Sequence, residues 1–194
     1  LSGTATIESA QMVVVGDQRI ETDAILLATG AHPRVSDDAQ PDGERILTWE
    51  QVYALEELPE HMIVVGSGVT GAEFAGAYNG LGATVTLVSS RDRVLPGEDA
   101  DAATVIEEVF KRRGMTVLGN SRMQSVERTD GGVRVTLTDG RTVDGSHCLL
   151  ALGSIPNTEG LGLDTIGVEL NEGGFIEVDR VSRTSVRGVY AAGY

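Results

Sequence analysis

Apolar residues fall along this chain in short, β-branched runs separated by glycine and by polar turns, and helical periodicity is confined to a few places. Residues 3–8, 11–15 and 19–22 alternate as strands, with Gly16-Asp17 as a turn. Residues 23–30 are a more continuous apolar run that ends in glycine, as a strand buried on both faces should. The polar stretch 34–46, with Pro41 and Gly43, reads as a loop. Thr48 with Gln51 forms a capping-box pattern for a short helix over 49–55, where Trp49 packs at a domain boundary. A strand over 62–65, a helix starting near Gly68 and a strand over 84–89 follow. Asp99 or Asp101 caps a helix running to Arg113, with acids at its start and Lys111-Arg112-Arg113 complementing its dipole at the end. Residues 115–118 are the next parallel strand. Then 122–128, 133–138 and 141–143 alternate around Asp130-Gly131-Gly132 and Asp139-Gly140, the pattern of a β-meander. Buried strands return at 147–152 and 187–193, with short turns and strand over 160–178.

The stretch 62–90 carries the chemistry. Gly66, Gly68 and Gly71 have G-x-G-x-x-G spacing between a strand and a helix, with Ser67, Val69 and Thr70 between them. In a dinucleotide fold Gly66 permits the tight turn and Gly68 lets a pyrophosphate approach the backbone. Gly71 lets helix and strand pack closely, and the helix N-terminus offers free N–H groups to the anion. The competing interpretation is a glycine-rich turn in an ordinary βαβ unit. The second strand ends in Ser89-Ser90-Arg91-Asp92-Arg93, where an acid would bind the ribose of NAD. Ser89, Ser90, Arg91 and Arg93 instead tilt the expectation towards the 2′-phosphate of NADP; the alternative is that the arginines are solvated loop residues.

Composition narrows the partners. A net charge of −14 over 194 residues excludes nucleic acid. The one cysteine, Cys148, sits in an apolar strand and is expected to be buried and inert, and His32, His61 and His147 are scattered without metal-ligand spacing. No membrane span or signal peptide is visible, so a cytoplasmic, reducing location is expected. The chain opens at Leu1 within patterned structure, which reads as a piece of a longer protein.

Strands running into glycine recur at Ala28-Thr29-Gly30, Ala151-Leu152-Gly153 and Ala192-Gly193. Together with Val64-Val-Gly-Ser-Gly-Val-Thr-Gly-Ala-Glu73 and Gly153-Ser-Ile-Pro-Asn157, and in this order, they resemble the landmarks of the pyridine nucleotide-disulfide oxidoreductases. Within that family the chain is most similar to dihydrolipoamide dehydrogenase-like flavoproteins, nearest the actinobacterial NAD(P)H quinone reductase branch. The resemblance implies an α/β, Rossmann-like FAD/NAD(P)-binding fold, with a parallel sheet and a three-stranded meander flanked by partial FAD-domain β segments. It implies an NAD(P)H domain over 48–153 and parts of an FAD domain over 1–47 and 154–194. Thr29 and Gly30 would approach FAD, as would Gly193, and Gly153 would lie beside the nicotinamide. Glu73 would support the nicotinamide–flavin contact, and Val69 stands where some relatives place a gating tyrosine. After Gly193 the family has Asp, whereas this chain has Tyr194.

The implied activity is hydride transfer from NAD(P)H to FAD and on to a disulfide or a quinone, in a homodimer acting on small-molecule dinucleotides. The family's FAD glycine motif, redox cysteines and dimerisation domain have no counterpart between Leu1 and Tyr194, so the chain alone is expected to have no turnover. A non-flavin dehydrogenase would need a Tyr/Lys or His/Asp set, and Lys111 is the only lysine. The remaining alternative is a non-catalytic dinucleotide-sensing module. Without the missing strands, 1–30 and 175–194 are expected either to pair with each other or to be mobile.

Overall fold

The computed structural model describes residues 1–193; Tyr194 lies outside the described residues. The chain divides into two compact units, one of Leu1–His32 with 154–193 and the other of Pro33–Gly153. The first unit begins with an antiparallel sheet of β1 (Ala5–Ser9), β2 (Met12–Val15) and β3 (Gln18–Glu21), followed by β4 (Ile25–Leu27) and β5 (Ala31–Pro33).

The second unit contains β6 (Ile46–Thr48), β7 (His61–Val65), α1 (Val69–Leu81), β8 (Thr84–Val88), α2 (Ala100–Arg112) and β9 (Thr116–Leu118). Then come the meander strands β10 (Met123–Thr129), β11 (Gly132–Leu137) and β12 (Thr142–Gly145), and finally β13 (His147–Leu150). The chain returns to the first unit through β14 (Ser154–Pro156), a short helix α3 (Leu163–Ile166) and β15 (Val189–Ala191).

The second unit is a parallel sheet in the order β6-β13-β7-β8-β9. Side chains alternate between its two faces, because successive strand residues point opposite ways. Met62, Val64, Val85, Leu87 and Leu149 pack with Ala72 and Ala75 of α1 and Phe110 of α2. Ile63, Val65, Val88, Cys148 and Leu150 pack against Val126, Val133, Val135 and Leu137 of the meander. Helices on one face and meander on the other leave no solvated side, which is why the central strands are apolar on both faces through most of their length, as at Met62–Val65 and Cys148–Leu150. The fold is the Rossmann-like α/β class expected.

Local sequence accounts for the element ends. Asp99, rather than Asp101, caps α2, its carboxylate accepting from the N–H groups of Asp101 and Ala102 at 3.1 Å each. Thr48 and Gln51 form reciprocal capping bonds: Thr48 N–H to Gln51 Oε1 at 3.0 Å and Gln51 N–H to Thr48 Oγ1 at 3.4 Å. The helix they introduce is a single 3-10 turn, Gln51–Ala54, shorter than expected. Ile46, the last residue of the expected loop, is instead buried in a strand with Leu47 and Thr48, and α3 interrupts the turns expected over 160–178. In the first unit β15 pairs in parallel with β4, Val189 opposite Ile25 and Ala191 opposite Leu27, so the two flanking stretches are joined rather than loose. Ile7, Ile25, Leu27, Leu163, Val189 and Ala191 form its core.

Candidate functional site

The turn from β7 into α1 shows three glycines with three different reasons to be glycine. Gly66 has φ +111°, and a Cβ there would stand 2.1 Å from the carbonyl oxygen of Ala151, which follows β13. A Cβ on Gly71 would stand 1.9 Å from the carbonyl oxygen of Gly66. Those two positions are closed by the protein itself. Gly68 is the opposite case: its φ of −68° suits any residue, and a Cβ there would meet nothing within 4 Å. It is the N-cap of α1, with its carbonyl accepting from Ala72 N–H at 2.9 Å. The N–H groups of Val69, Thr70 and Gly71 have no acceptor within the helix. The open space over Gly68 thus faces the start of a 13-residue helix at the carboxyl end of β7, an arrangement whose free N–H groups can receive an anion. That is also where strand order switches, β8 lying on one side of β7 and β13 on the other.

Beside the turn is a cleft of about 520 Å³ lined by Gly66, Ser90, Arg91, Arg122, Asp38 and Leu152, among others. It brings together Gly66, Ser90 and Arg91 from the expected set. It also contains Arg122, which the sequence pattern did not single out. The signal for it was positional: Arg122 follows the third strand of the parallel run, and ligands in open α/β sheets sit beyond strand carboxyl ends.

Three residues of the expected set, Ser67, Ser89 and Arg93, are placed differently from Ser90 and Arg91. Ser89 is fully buried, and its hydroxyl shares a 2.7 Å hydrogen bond with the hydroxyl of Ser67, itself buried. Ser89 Oγ also accepts from Arg91 N–H at 3.1 Å and lies 3.1 Å from Arg91 O and 3.3 Å from Arg93 O. Both serine hydroxyls face inward, where they tie the glycine turn to the loop after β8. Ser89 continues the buried run that ends β8, which carries its side chain into the protein. Arg93 is half-buried and does not line the cleft; its Nε is buried without a hydrogen-bond partner.

Val69 is exposed, Thr70 half-buried, and Glu73 lies on the exposed face of α1. Gly153 is exposed with φ +91°, its carbonyl accepting from Arg34 N–H at 3.0 Å. In the other unit, Thr29, Gly30 and Gly193 line one hollow of about 90 Å³ with Thr158 and Ala192. Asn157 shapes it. Its Nδ2 donates to Thr29 O at 3.0 Å, its backbone N–H donates to Gly30 O at 2.9 Å, and its Oδ1 lies 2.7 Å from His32 Nδ1. At about 90 Å³ this hollow is far too small to enclose a dinucleotide by itself.

The remaining titratable candidates are structural. Cys148 is wholly buried and burial pushes its thiol well above the ordinary range. His61 Nε2 lies 2.9 Å from Thr86 Oγ1, and burial lowers its pKa. Among the described residues no cluster of His, Cys, Asp or Glu could hold a metal ion, and no helix is long and apolar enough to cross a membrane.

Comparison with known proteins agrees with the dinucleotide geometry. Residues 1–193 match the model of the family described as pyridine nucleotide-disulphide oxidoreductase. The NAD(P)H dehydrogenase (quinone) of Mycobacterium tuberculosis is 61% identical over 173 residues, covering 89% of this chain and 35% of that protein. The dihydrolipoyl dehydrogenase of Zymomonas mobilis is 35% identical, covering 100% and 43%. The crystal structure of LpdA from M. tuberculosis superposes with a TM-score of 0.82 at 58% identity, over 94% of this chain and 40% of that one. The chain therefore spans well under half the length of these relatives. Members of the matched family are oxidoreductases that depend on FAD and NAD(P)H. The match from residue 1 to residue 193, with an open glycine turn between β7 and α1, places this protein in the pyridine nucleotide-disulphide oxidoreductase family.

Proposed function

We propose that this chain is the dinucleotide-binding part of an FAD-dependent NAD(P)H oxidoreductase whose final electron acceptor is a quinone or a disulfide. The observation that carries the proposal is the open space over Gly68, set between two glycines that the protein itself closes. The quinone acceptor is supported by the printed name of the relative at 61% identity. When bound, the reduced nicotinamide supplies a hydride that the flavin relays to the acceptor.

Each protein group then has a limited task. Gly68 and the free N–H groups opening α1 hold the pyrophosphate without a side-chain charge. Ser90 and Arg91 face the adenosine end and supply donors for a 2′-phosphate. Glu73 has a supporting role near the nicotinamide, and Gly153 leaves room beside it. Thr29, Gly30 and Gly193 form the wall nearest the flavin. In this reading 48–153 is the NAD(P)H domain, and 1–47 and 154–194 belong to an FAD domain completed elsewhere in a homodimeric protein. The chain by itself has no turnover; flavin-free oxidation of NADPH by the isolated chain would contradict that.

The test is calorimetric titration of the intact protein with NADP⁺ and NAD⁺, which bind without reducing the flavin. The wild type binds at least one of them, and Gly68→Ala weakens that binding by about tenfold or more, since the added methyl fills the pyrophosphate cradle. Unchanged binding by Gly68→Ala would remove the turn from the cofactor site.

A further inference from the structure

The loop after β8, which presents Ser90 and Arg91 to the cleft, is suspended from several elements. Ser89 Oγ accepts from Arg91 N–H, Arg91 O accepts from Asn120 N–H at 2.8 Å, and Leu95 N–H donates to Ser67 O at 2.8 Å. Leu95 has φ +51°, a conformation that a branched residue keeps only when its surroundings enforce it.

One further support comes from α2. Glu107 Oε2 accepts from Val94 N–H at 3.0 Å, while Oε1 accepts from Lys111 Nζ at 2.6 Å. Val94 is completely buried, so water cannot replace that acceptor. The Glu107 side chain is only 18% exposed, and the bond fixes the residue immediately before the strained Leu95. No sequence motif marks Glu107, which lies among exposed acids on an amphipathic helix.

We infer that Glu107 is a positioning residue for dinucleotide selection: by anchoring Val94 it holds Ser90 and Arg91 towards the cleft, and it thereby governs affinity for the 2′-phosphorylated dinucleotide. This rests on reading the Gly66–Gly71 turn as the pyrophosphate site. The bonds that close that turn, Gly66 N–H to Val88 O and Ala72 N–H to Gly68 O, both at 2.9 Å, do not involve the loop. Leu95 N–H to Ser67 O and the Ser67–Ser89 hydroxyl pair do join the two, so loss of the anchor must be felt at Ser90 and Arg91 and not at the turn, which the NAD⁺ affinity reads.

The experiment titrates the intact wild-type protein, Glu107→Ala and Glu107→Gln with NADP⁺ and with NAD⁺. The wild type binds NADP⁺ about tenfold more tightly than NAD⁺. Glu107→Ala removes most of that preference while its NAD⁺ affinity stays within about twofold, which also shows that the variant is folded. Glu107→Gln, whose amide oxygen still accepts from Val94, restores the preference. An equal loss for both dinucleotides in Glu107→Ala, no loss for either, or no rescue by Gln would overturn the inference and leave the pyrophosphate reading standing. So would equal binding of the two dinucleotides by the wild type. Failure of the wild type to bind either would overturn both.

Discussion

Alanine at Gly71 and at Gly80 should move stability in opposite directions within one helix. Intrinsic propensity favours both changes by up to about 1 kcal/mol, since glycine is a poor helix former. At Gly80 a Cβ meets nothing within 4 Å, so the propensity gain stands alone. At Gly71 the Cβ would lie 1.9 Å from Gly66 O and 2.8 Å from Gly66 C, backbone atoms that no rotamer change can move. Relief requires the turn to retreat by more than an ångström, away from the Gly66 N–H to Val88 O bond of 2.9 Å. Overpacking at roughly 1–3 kcal/mol plus a buried N–H left unpaired at roughly 1–3 kcal/mol outweigh the propensity gain. The expected net cost is about 2–4 kcal/mol, or a melting shift of about 5–15 °C downward for a chain of this size. Trp49, the only tryptophan, packs half-buried against the core that contains α1, so its fluorescence follows this unit in a urea titration. A Gly71→Ala midpoint equal to wild type, or a Gly80→Ala midpoint clearly below it, would refute the argument.

Other outcomes follow from single interactions. Asp99→Ala removes both capping bonds of α2 and should cost about 1 kcal/mol in the same urea assay, with Asp99→Asn nearly neutral. Burial pushes the Asp42 carboxyl up, but hydrogen bonds from Arg128 and the N–H groups of Ile46, Glu44 and Arg45 outweigh it and hold its pKa far below the usual range. Its contribution is therefore complete above the unfolded value near ~3.9 and is lost as pH falls towards the folded one. Asp42→Asn should flatten the fall of the urea midpoint below about pH 4. For His61 the folded pKa is lowered by burial, so stability is full above about pH 6.5 and declines as pH falls through that value; His61→Gln should reduce that slope, leaving the part due to His147, whose pKa burial also lowers. Cys148 should resist a thiol reagent in the native protein and react fully in denaturant; rapid native labelling would contradict its burial.

Much of this architecture was legible because its causes are local. The G-x-G-x-x-G spacing, the Asp-Gly turns, the Asp99 cap and the unbroken apolar strands each state their conformation within a few residues. What stayed hidden depends on neighbours distant in sequence. Ser67 and Ser89 are 22 positions apart, and only the fold shows that their hydroxyls bind each other. Ile46 looked like the tail of a polar loop because Ile46-Leu47 is too short an apolar run to signal a strand, and its partner β13 comes much later in the chain. Arg122 was inconspicuous for the same reason, since it lines a cleft shared with Gly66, and Asn157 stood out only as part of a landmark, its bonds to the Thr29–Gly30 backbone being visible in the fold alone.

The place of β13 in the sheet has a consequence for biosynthesis. It lies between β6 and β7, although both of those strands are translated well before it. On the ribosome β7, α1 and β8 can associate early, but β6 has no strand to join until His147–Leu150 emerges. At ~5–20 residues per second that interval is on the order of 5–20 s. Throughout it, one edge of β7 and the buried faces of Ile46 and Leu47 are uncovered, which makes the nascent chain a client for chaperones. A chain truncated before His147 would remain in that condition permanently, so a truncation meant to isolate the glycine turn must extend through Leu150 to be soluble.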